Sequence, residues 1–208
     1  MANGKISMTV IRRLPKYHRY LKDLLEKGIN RISSKELSEI IGFTASQIRQ
    51  DLNNFGGFGQ QGYGYNVEDL YSEIGTILGL GKPYKTVIIG AGNLGQALAN
   101  YNFESHGFEL VGMYDVDEAL IGKKIKGIEI KPSDRLVEDC VIHQVDIAYL
   151  CTNRESAQNV ANALVKCGVR AIWNFTPVDL KVPEETTIVE DVHLIDSLLT
   201  ISYFLKDH

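Results

Sequence analysis

The sequence predicts an α/β protein that consists of an N-terminal winged helix-turn-helix domain, a Rossmann-type doubly wound parallel sheet and a C-terminal helix. Three observations support this prediction. Two short helical segments with capping residues follow one another near the N-terminus. A glycine-rich loop comes directly after an apolar strand, and strands alternate with helices through the rest of the chain. We place the domains at residues 1–80, 81–190 and 191–208.

The composition is that of an ordinary globular protein. Of the 208 residues, 44% are hydrophobic and 23% are charged. No apolar run approaches the roughly 18 residues of a membrane span, and the N-terminus lacks a signal-peptide core, so we expect a cytoplasmic protein with no membrane contact. The cysteines Cys140, Cys151 and Cys167 form no C-x-x-C pair and have no metal-ligand spacing. We therefore assign them neither a metal nor a redox role.

Charge is distributed unevenly along the chain. Residues 1–65 contain ten Lys/Arg and five Asp/Glu (+5), and residues 66–208 contain twelve and twenty-one (−9), which together give the net charge of −4. Such an asymmetry indicates a basic contact surface joined to an acidic body.

The N-terminal segment predicts three helices in sequence. Helical periodicity begins near Pro15 and is expected to end at Gly28. The capping-box pattern Ser33–Glu36 opens a second helix, and a similar pattern at Thr44–Gln47 opens a third helix a few residues later. Two short helices joined by a turn that contains Gly42 are typical of a helix-turn-helix.

The third helix and its surroundings carry candidate DNA contacts. Its exposed face is predicted to be polar, with residue types that contact base edges and phosphates: Ser46, Gln47, Arg49, Gln50 and Asn53. Basic residues near the first helix are expected to contact phosphates: Arg12, Arg13 and Lys16. Glycine and aromatic residues alternate over 56–65, which predicts a hairpin wing with Gln60 and Gln61 near its tip. The alternative is a helical domain that only packs against the rest of the chain or against a partner.

A dinucleotide-binding fingerprint follows a helix predicted at Val67–Leu80. The apolar strand Thr86–Ile89 runs into the loop Gly90-Ala91-Gly92-Asn93-Leu94-Gly95, then a helix, and then a second strand that ends at Asp115, about 20 residues on. In this pattern the first glycine allows a tight turn, the second lets a pyrophosphate approach the backbone, and the third lets the helix pack on the strand. The phosphates are then expected at the helix N-terminus.

Asp115 indicates which dinucleotide the loop would bind. A carboxylate at this position accepts hydrogen bonds from the adenosine ribose hydroxyls and repels a 2′-phosphate. The sequence therefore predicts NADH and NAD⁺ rather than NADPH. The alternative is a glycine-rich turn of an ordinary α/β domain, with Asp115 on its surface.

The rest of the chain continues the alternation of strands and helices. Strands are predicted at Val145–Leu150, Ala171–Phe175 and Thr187–Val189, with a helix at Ser156–Cys167. Ligands of such sheets bind at the carboxyl ends of the strands. Polar residues at two of these ends are candidates for lining the nicotinamide half of the site: Thr152, Asn174 and Thr176.

The last segment, Val192–Lys206, is predicted to form a helix with a wide apolar face that must be buried. It is expected to dock either on its own sheet or on a second subunit. A two-fold dimer would suit a helix-turn-helix protein that binds palindromic half-sites.

The sequence does not favour an enzyme. The histidines are scattered and form no recognisable catalytic arrangement: His18, His106, His143, His193 and His208. The residues after the linker suffice for a cofactor-binding fold and little else. Two alternatives remain open, an NAD-dependent oxidoreductase and a Rossmann module that binds another adenine nucleotide such as coenzyme A.

Several motifs together resemble one family. They are Arg13-Leu14-Pro15-x-Tyr17-x-Arg19, Gln47–Leu52, Phe55-Gly56 running on to Gly62-Tyr63-Gly64-Tyr65, Gly90–Gly95, Asn174-Phe175-Thr176-Pro177 and the C-terminal helix. Over essentially its whole length the chain resembles the redox-sensing transcriptional repressors called Rex. The resemblance implies a homodimer with winged-helix heads, Rossmann bodies and exchanged C-terminal helices. It also implies binding to an AT-rich inverted-repeat operator when NADH is scarce and release from it when NADH rises.

The resemblance implies roles for individual residues in the DNA-binding head. Arg49 would contact DNA from the recognition helix. Gln50 stands where the family often has a basic residue, which implies an altered base preference. Gln60 and Gln61 stand at a wing tip that is often basic, which implies weaker anchoring in the minor groove.

The resemblance also implies residues that sense the cofactor state. Tyr101 would lie near the nicotinamide. Arg19 would respond to the cofactor through an acidic residue of the partner's C-terminal helix. At that position this chain has His193, with Asp191 and Asp196 close by, so the neighbouring aspartates are candidates to replace it.

Overall fold

The chain forms two compact units, Met1–Lys82 and Pro83–His208. The computed structural model describes residues 6–55, 59–60 and 63–206, with only the backbone for Gly59 and Gln60. The wing-tip candidate Gln61 lies outside the described residues.

The first unit packs helices around a small antiparallel sheet. Its elements are α1 (Met8–Ile11), α2 (Leu14–Glu26), β1 (Arg31–Ile32), α3 (Ser34–Ile41), α4 (Ala45–Asn53), β2 (Gly59–Gln60), β3 (Gly64–Asn66) and α5 (Val67–Ile77). The strands lie in the order β1-β3-β2, and β2 pairs with β3 as the predicted wing hairpin. The core consists of side chains from α2 to α5, among them Tyr17, Leu21, Ile48, Leu52 and Leu70.

Capping residues fix where the two central helices begin and end. The Ser33 hydroxyl accepts a hydrogen bond from the Glu36 amide (3.1 Å), and the Glu36 carboxylate accepts one from the Ser33 amide (2.7 Å), which completes a capping box. Gly42 ends α3 with a φ of 80°, a left-handed conformation that favours glycine. The Thr44 hydroxyl then accepts from the Gln47 amide (3.1 Å) and starts α4. The helix-turn-helix prediction is confirmed.

The second unit is a doubly wound sheet with helices on both faces. Its elements are β4 (Tyr84–Ile89), α6 (Asn93–Asn100), β5 (Phe108–Asp115), β6 (Lys124–Ile125), β7 (Ile128–Pro132), α7 (Leu136–His143), β8 (Ile147–Leu150), α8 (Arg154–Lys166), β9 (Ala171–Asn174), β10 (Ile188–Asp191) and α9 (Leu194–Leu205). The strand order is β10-β9-β8-β4-β5-β7-β6, and all pairs are parallel except β6 with β7. From β7 to β10 this is the Rossmann order, in which the direction of winding reverses between β4 and β8.

Alternate residues of each strand divide the core of this unit in two. Val87 and Ile89 point to the face that α7 and α8 cover, whereas Ile88 and Met113 point to the face that α6 covers. On the α6 face, β8 and β9 border an apolar groove of about 380 Å³. Its lining includes Phe103, Ile147, Tyr149, Trp173 and Ile188.

Helix α9 carries a wide apolar surface that its own chain leaves exposed. Leu198 and Leu199 are 60% and 59% exposed, and no described residue of α9 is buried. Of the two alternatives predicted for this helix, docking on its own sheet is therefore excluded, and docking on a second subunit stays a prediction. Among the described residues, no helix is both long and apolar enough to span a membrane.

Candidate cofactor and nucleic-acid sites

The glycines of the loop after β4 meet different requirements. Gly90 has a φ of 96°, and a Cβ there would lie 2.5 Å from the Cys151 carbonyl oxygen. A Cβ on Gly95 would lie 2.0 Å from the Gly90 carbonyl oxygen, which explains the third glycine as a packing requirement between α6 and the loop. A Cβ on Gly92 would meet no protein atom within 4 Å. The protein itself therefore does not require glycine at 92, and the open space above it favours close approach by a ligand.

The loop borders a cavity of about 330 Å³ at the carboxyl ends of β4 and β8, where the winding reverses. Its lining includes Gly90, Gly92, Asp115, Ser133 and Thr152. Gly92 is the N-cap of α6, and no side chain caps this helix. The first amide groups of α6 are oriented to donate hydrogen bonds to an anion, with the positive end of the helix dipole behind them.

Asp115 lies at the end of β5 and is anchored to the loop. One oxygen of its carboxylate accepts from the Ala91 amide (2.5 Å), and the other accepts from the amides of Val116 (2.7 Å) and Asp117 (2.9 Å). A carboxylate offers about four acceptor positions, so these three bonds leave capacity for one further donor such as a ribose hydroxyl. Asp115 and Thr152 thus both line the cavity. Asn93 and Leu94 form the first turn of α6.

Asn174 and Thr176 do not offer side chains to a ligand, contrary to the sequence-based expectation. Asn174 is 0% exposed and Thr176 is 1% exposed. The Asn174 amide donates to the Val178 carbonyl (2.7 Å) and to the Asp191 carboxylate (2.7 Å), while its oxygen accepts from the amide (3.0 Å) and the hydroxyl (2.7 Å) of Thr176. These polar atoms are already hydrogen-bonded within the protein. The two residues shape the loop after β9 and hold Asp191.

The state-sensing candidates fall into separate places. Tyr101 ends α6, whose eight residues at 1.5 Å each separate it by about 12 Å from the glycine loop at the other end. Its ring contacts Phe103 (centroids 4.5 Å apart) and is 62% exposed. Arg19 lies on α2 of the first unit, with its guanidinium over the Tyr20 ring (5.3 Å).

The acidic and histidine candidates lie where β10 leads into α9. Asp191 ends β10, His193 precedes α9, and Asp196 lies exposed in its first turn. The His193 Nε2 is 3.6 Å from a carboxylate oxygen of Asp179, a residue that sequence reasoning did not select. The carboxylates of Asp179 and Asp191 lie within 4.8 Å of each other and of His193. Asp179 and Asp191 are 12 positions apart in the sequence, so they come together only through the tertiary structure.

The predicted recognition helix presents a polar face. Ser46, Arg49, Gln50 and Asn53 are exposed, and Gln47 is partly exposed. The Arg49 guanidinium donates to the Ser34 hydroxyl of α3 (2.9 Å), which directs the side chain along the helix surface. These residues therefore share one accessible surface on α4.

Of the three basic candidates near the first helix, Arg13 also has an internal role. Its guanidinium donates two hydrogen bonds of 2.6 Å to the carboxylate of Asp51, a residue of α4 that is 2% exposed. Burial and a hydrogen bond of 2.8 Å to Asp51 raise the pKa of Tyr17, so its hydroxyl stays protonated and donates. This ion pair holds two of the five N–H donors of the Arg13 guanidinium, and a phosphate contact by the others stays a prediction. Arg12 is exposed, and Lys16 lies over the Phe43 ring at 4.8 Å.

Known proteins resemble the chain over its full length. A repressor of Clostridioides difficile, named redox-sensing transcriptional repressor Rex, is 59% identical over 208 residues and covers 100% of this chain and 99% of its own. One of Caldanaerobacter subterraneus with the same name is 60% identical over 203 residues, which are 97% of this chain and 90% of the relative.

The chain belongs to the Rex family of redox-sensing transcriptional repressors.

Solved structures of a Rex-family repressor, RSP, match this fold. RSP in complex with β-NAD⁺ and operator DNA superposes with a TM-score of 0.94 and 56% identity, over 99% of this chain and 94% of RSP. RSP in complex with β-NADH gives a TM-score of 0.90 and 53% identity, over 99% of this chain and 96% of RSP. The predicted fold class is confirmed.

Two family models match separate parts of the chain. Residues 5–53 match the model described as "Putative DNA-binding protein N-terminus". Residues 81–178 match the model described as "CoA binding domain". The full-length Rex relatives are named repressors rather than enzymes, and RSP is described with NAD⁺ and NADH, so neither the oxidoreductase nor the coenzyme A alternative is favoured.

Proposed function

We propose that this protein is a homodimeric repressor that binds an AT-rich inverted-repeat operator and releases it when NADH binds. Transcription of the repressed genes would then follow the ratio of NADH to NAD⁺. The observation that carries the proposal is the full-length similarity to RSP, whose structures contain NADH in one case and NAD⁺ with operator DNA in another. Because such a protein acts on the chromosome, we place it in the cytoplasm.

The glycine-loop cavity is the proposed site for NADH and NAD⁺. The pyrophosphate would approach Gly92 and accept hydrogen bonds from the first amides of α6. Asp115 would accept a hydrogen bond from the adenosine ribose and would repel a 2′-phosphate, which favours NADH over NADPH. Thr152 would line the same cavity. The dinucleotide supplies the nicotinamide ring, whose charge differs between the two oxidation states.

The exposed face of α4 is the proposed DNA-reading surface. Arg49 and Gln50 lie on a helix that would enter the major groove, where such side chains donate to base edges. Arg12 and Lys16 would contact phosphates and make the affinity depend on salt. Gln60 belongs to the hairpin that would flank this helix as its wing.

The proposed dimer exchanges α9 between subunits. The helix exposes a wide apolar face, and the sheet of the same unit leaves an apolar groove of about 380 Å³ beside Trp173. Two-fold symmetry would place the α9 of each subunit in the groove of the other. Leu198→Asp would place a charge in this interface and should convert the dimer to a monomer in sedimentation equilibrium. Thr200→Asp, on the opposite side of the helix, is the matched control and should leave the dimer intact.

Release of DNA requires that NADH bind the non-DNA-binding state more tightly than the DNA-binding state. A tenfold loss of DNA affinity corresponds to about 1.4 kcal/mol of coupling free energy. We propose Tyr101, Arg19 and the carboxylates around His193 as the residues that transmit this difference. If both Tyr101→Phe and Arg19→Ala left NADH-driven release unchanged, this route would be wrong.

Fluorescence anisotropy tests the proposed function directly. The protein is titrated onto a labelled AT-rich inverted repeat and onto a scrambled duplex, with NADH, NAD⁺ and NADPH in separate series. Selective binding that NADH relieves is the expected result. Gly92→Ala should keep DNA binding and lose the NADH response, whereas Arg49→Ala should lose DNA affinity and keep NADH affinity. Equal binding to both duplexes, followed by failure to select any operator from a random pool, would overturn the proposal.

A further inference from the structure

The direction in which α9 leaves the second unit is set at its junction with β10. None of the described residues of α9 is buried. The side-chain hydrogen bonds of Thr200 and Ser202 run to carbonyl groups of the same helix. The helix is therefore held on its own unit mainly through the short segment from Asp191, the last residue of β10, to His193, which precedes α9.

Asn174, the last residue of β9, holds this junction. Strands β9 and β10 pair in parallel, and their register places Asn174 beside Asp191. The Asn174 side-chain amide donates to the Asp191 carboxylate (2.7 Å), and the Asn174 backbone carbonyl accepts from the Val192 amide (2.8 Å). Two consecutive residues that lead into α9 are thus bonded to one residue of the neighbouring strand.

The loop after β9 fixes the orientation of the Asn174 side chain. Its amide also donates to the Val178 carbonyl (2.7 Å), and its oxygen accepts from the amide (3.0 Å) and the hydroxyl (2.7 Å) of Thr176. An asparagine side chain has two donor hydrogens and an oxygen with two lone pairs, so all four positions are used. Because the side chain is 0% exposed, rotating it would break buried hydrogen bonds. The bond to Asp191 therefore has a fixed direction.

Asparagine is suited to this set of partners, whereas its acid is not. An aspartate has the same shape but lacks both donors, and it would place a second carboxylate beside that of Asp191. The Asp191 side chain is exposed, yet it accepts a hydrogen bond from a donor whose position the buried loop fixes. Since the acceptor is charged, this bond is stronger than one between neutral groups.

We propose that Asn174 is a positioning residue for the dimer. Through Asp191 and Val192 it holds α9 in the direction from which the helix enters the groove of the partner subunit. This inference rests on the proposed exchange of α9 between subunits. A helix already held in the bound direction loses less conformational freedom on association than one on a loose junction. Asn174 would therefore increase dimer affinity without contacting the partner.

Sedimentation equilibrium of the full chain tests the inference. Asn174→Asp should raise the dimer dissociation constant about tenfold, which corresponds to about 1.4 kcal/mol. The measurement is made at pH 8, because at lower pH two adjacent carboxylates can share a proton that restores the bond. Asp191→Ala leaves the buried loop intact and should also weaken the dimer. Glu184→Ala removes an exposed carboxylate from the turn before β10 and is the matched control, with an unchanged dissociation constant.

The double variant Asn174→Asp/Asp191→Asn separates positioning from damage to the core. In it, the new amide at position 191 can donate to the new carboxylate at position 174, which reverses the original hydrogen bond. The bond to Val178 is lost in the single and in the double variant alike. The double variant should therefore dimerise within about threefold of wild type, although the single variant does not.

Two results would overturn this inference and leave the proposed function in place, provided that the wild type is a dimer. One is an equal dissociation constant for Asn174→Asp and the double variant, since the effect would then come from the lost bond to Val178. The other is wild-type dimerisation by both Asn174→Asp and Asp191→Ala. A wild type that sediments as a monomer would overturn the proposed dimer and this inference together.

Discussion

The carboxylate of Asp51 connects the N-terminal helices to the recognition helix, and its removal is expected to unfold the first unit selectively. Asp51 accepts two hydrogen bonds of 2.6 Å from Arg13 and one of 2.8 Å from Tyr17. In Asp51→Ala the Arg13 charge, whose side chain is 15% exposed, loses its partner, and the Tyr17 hydroxyl is buried without an acceptor. Breaking a buried ion pair from one side costs about 3–5 kcal/mol. This is a large part of a typical domain stability of about 5–15 kcal/mol.

A less severe substitution should separate the Tyr17 hydrogen bond to Asp51 from the Arg13 ion pair with Asp51. Tyr17→Phe removes one hydrogen bond to a charged group, which is worth about 1.5–3 kcal/mol, and leaves the ring packed in the core. Asp23→Ala, on the exposed surface of α2, is the matched control and should change the free energy of unfolding by at most about 0.5 kcal/mol.

Two signals in one urea titration distinguish the units. Trp173 is the sole tryptophan of the chain and lies in the second unit, so its fluorescence follows that unit, while far-UV circular dichroism follows both. Asp51→Ala should move an early part of the dichroism transition to lower urea and leave the tryptophan midpoint in place. It should also abolish operator binding while NADH still binds. A dichroism transition identical to that of wild type would refute the assigned role of Asp51.

Two further predictions concern the second unit. Gly95→Ala should lower the thermal midpoint sharply, because its Cβ would lie 2.0 Å from a backbone oxygen. Gly92→Ala should change the free energy of unfolding in urea by no more than about 1 kcal/mol. It should nevertheless lose NADH affinity in a fluorescence titration. The reverse pattern would contradict the assigned roles. Burial raises the pKa of Asp139, but hydrogen bonds from Lys131 and Tyr114 outweigh it and lower the pKa overall. The ionised Asp139 carboxylate therefore stabilises the folded state above its unfolded-state pKa of about 3.9. This stabilisation is lost as the pH falls through the lower pKa that Asp139 has in the folded state. Asp139→Asn should be less stable than wild type at pH 7, by a margin in urea midpoint that shrinks below about pH 4; a margin independent of pH would contradict this.

Local patterns in the sequence were enough for the architecture and for the backbone part of the candidate site. Capping boxes, a turn glycine and the glycine loop act over a few residues, so the neighbours that give them meaning are adjacent in the chain. Ser33 with Glu36 forms the predicted cap, Gly90 makes the predicted tight turn, and Gly95 has the predicted packing role. Asp115 also lies beside the loop, because parallel strands bring their carboxyl ends to one edge.

The tertiary structure decided which polar side chains are available and which are already bonded inside the protein. Arg13 has the residue type of a phosphate contact, but Asp51, 38 positions away, holds two of its N–H donors. Asn174 ends a strand as a ligand-binding residue would, yet its amide is already bonded to Thr176 and Val178 of the following loop and to Asp191 of β10. The sequence determines residue type and local conformation, whereas a side chain's partners depend on contacts between distant segments that only folding creates.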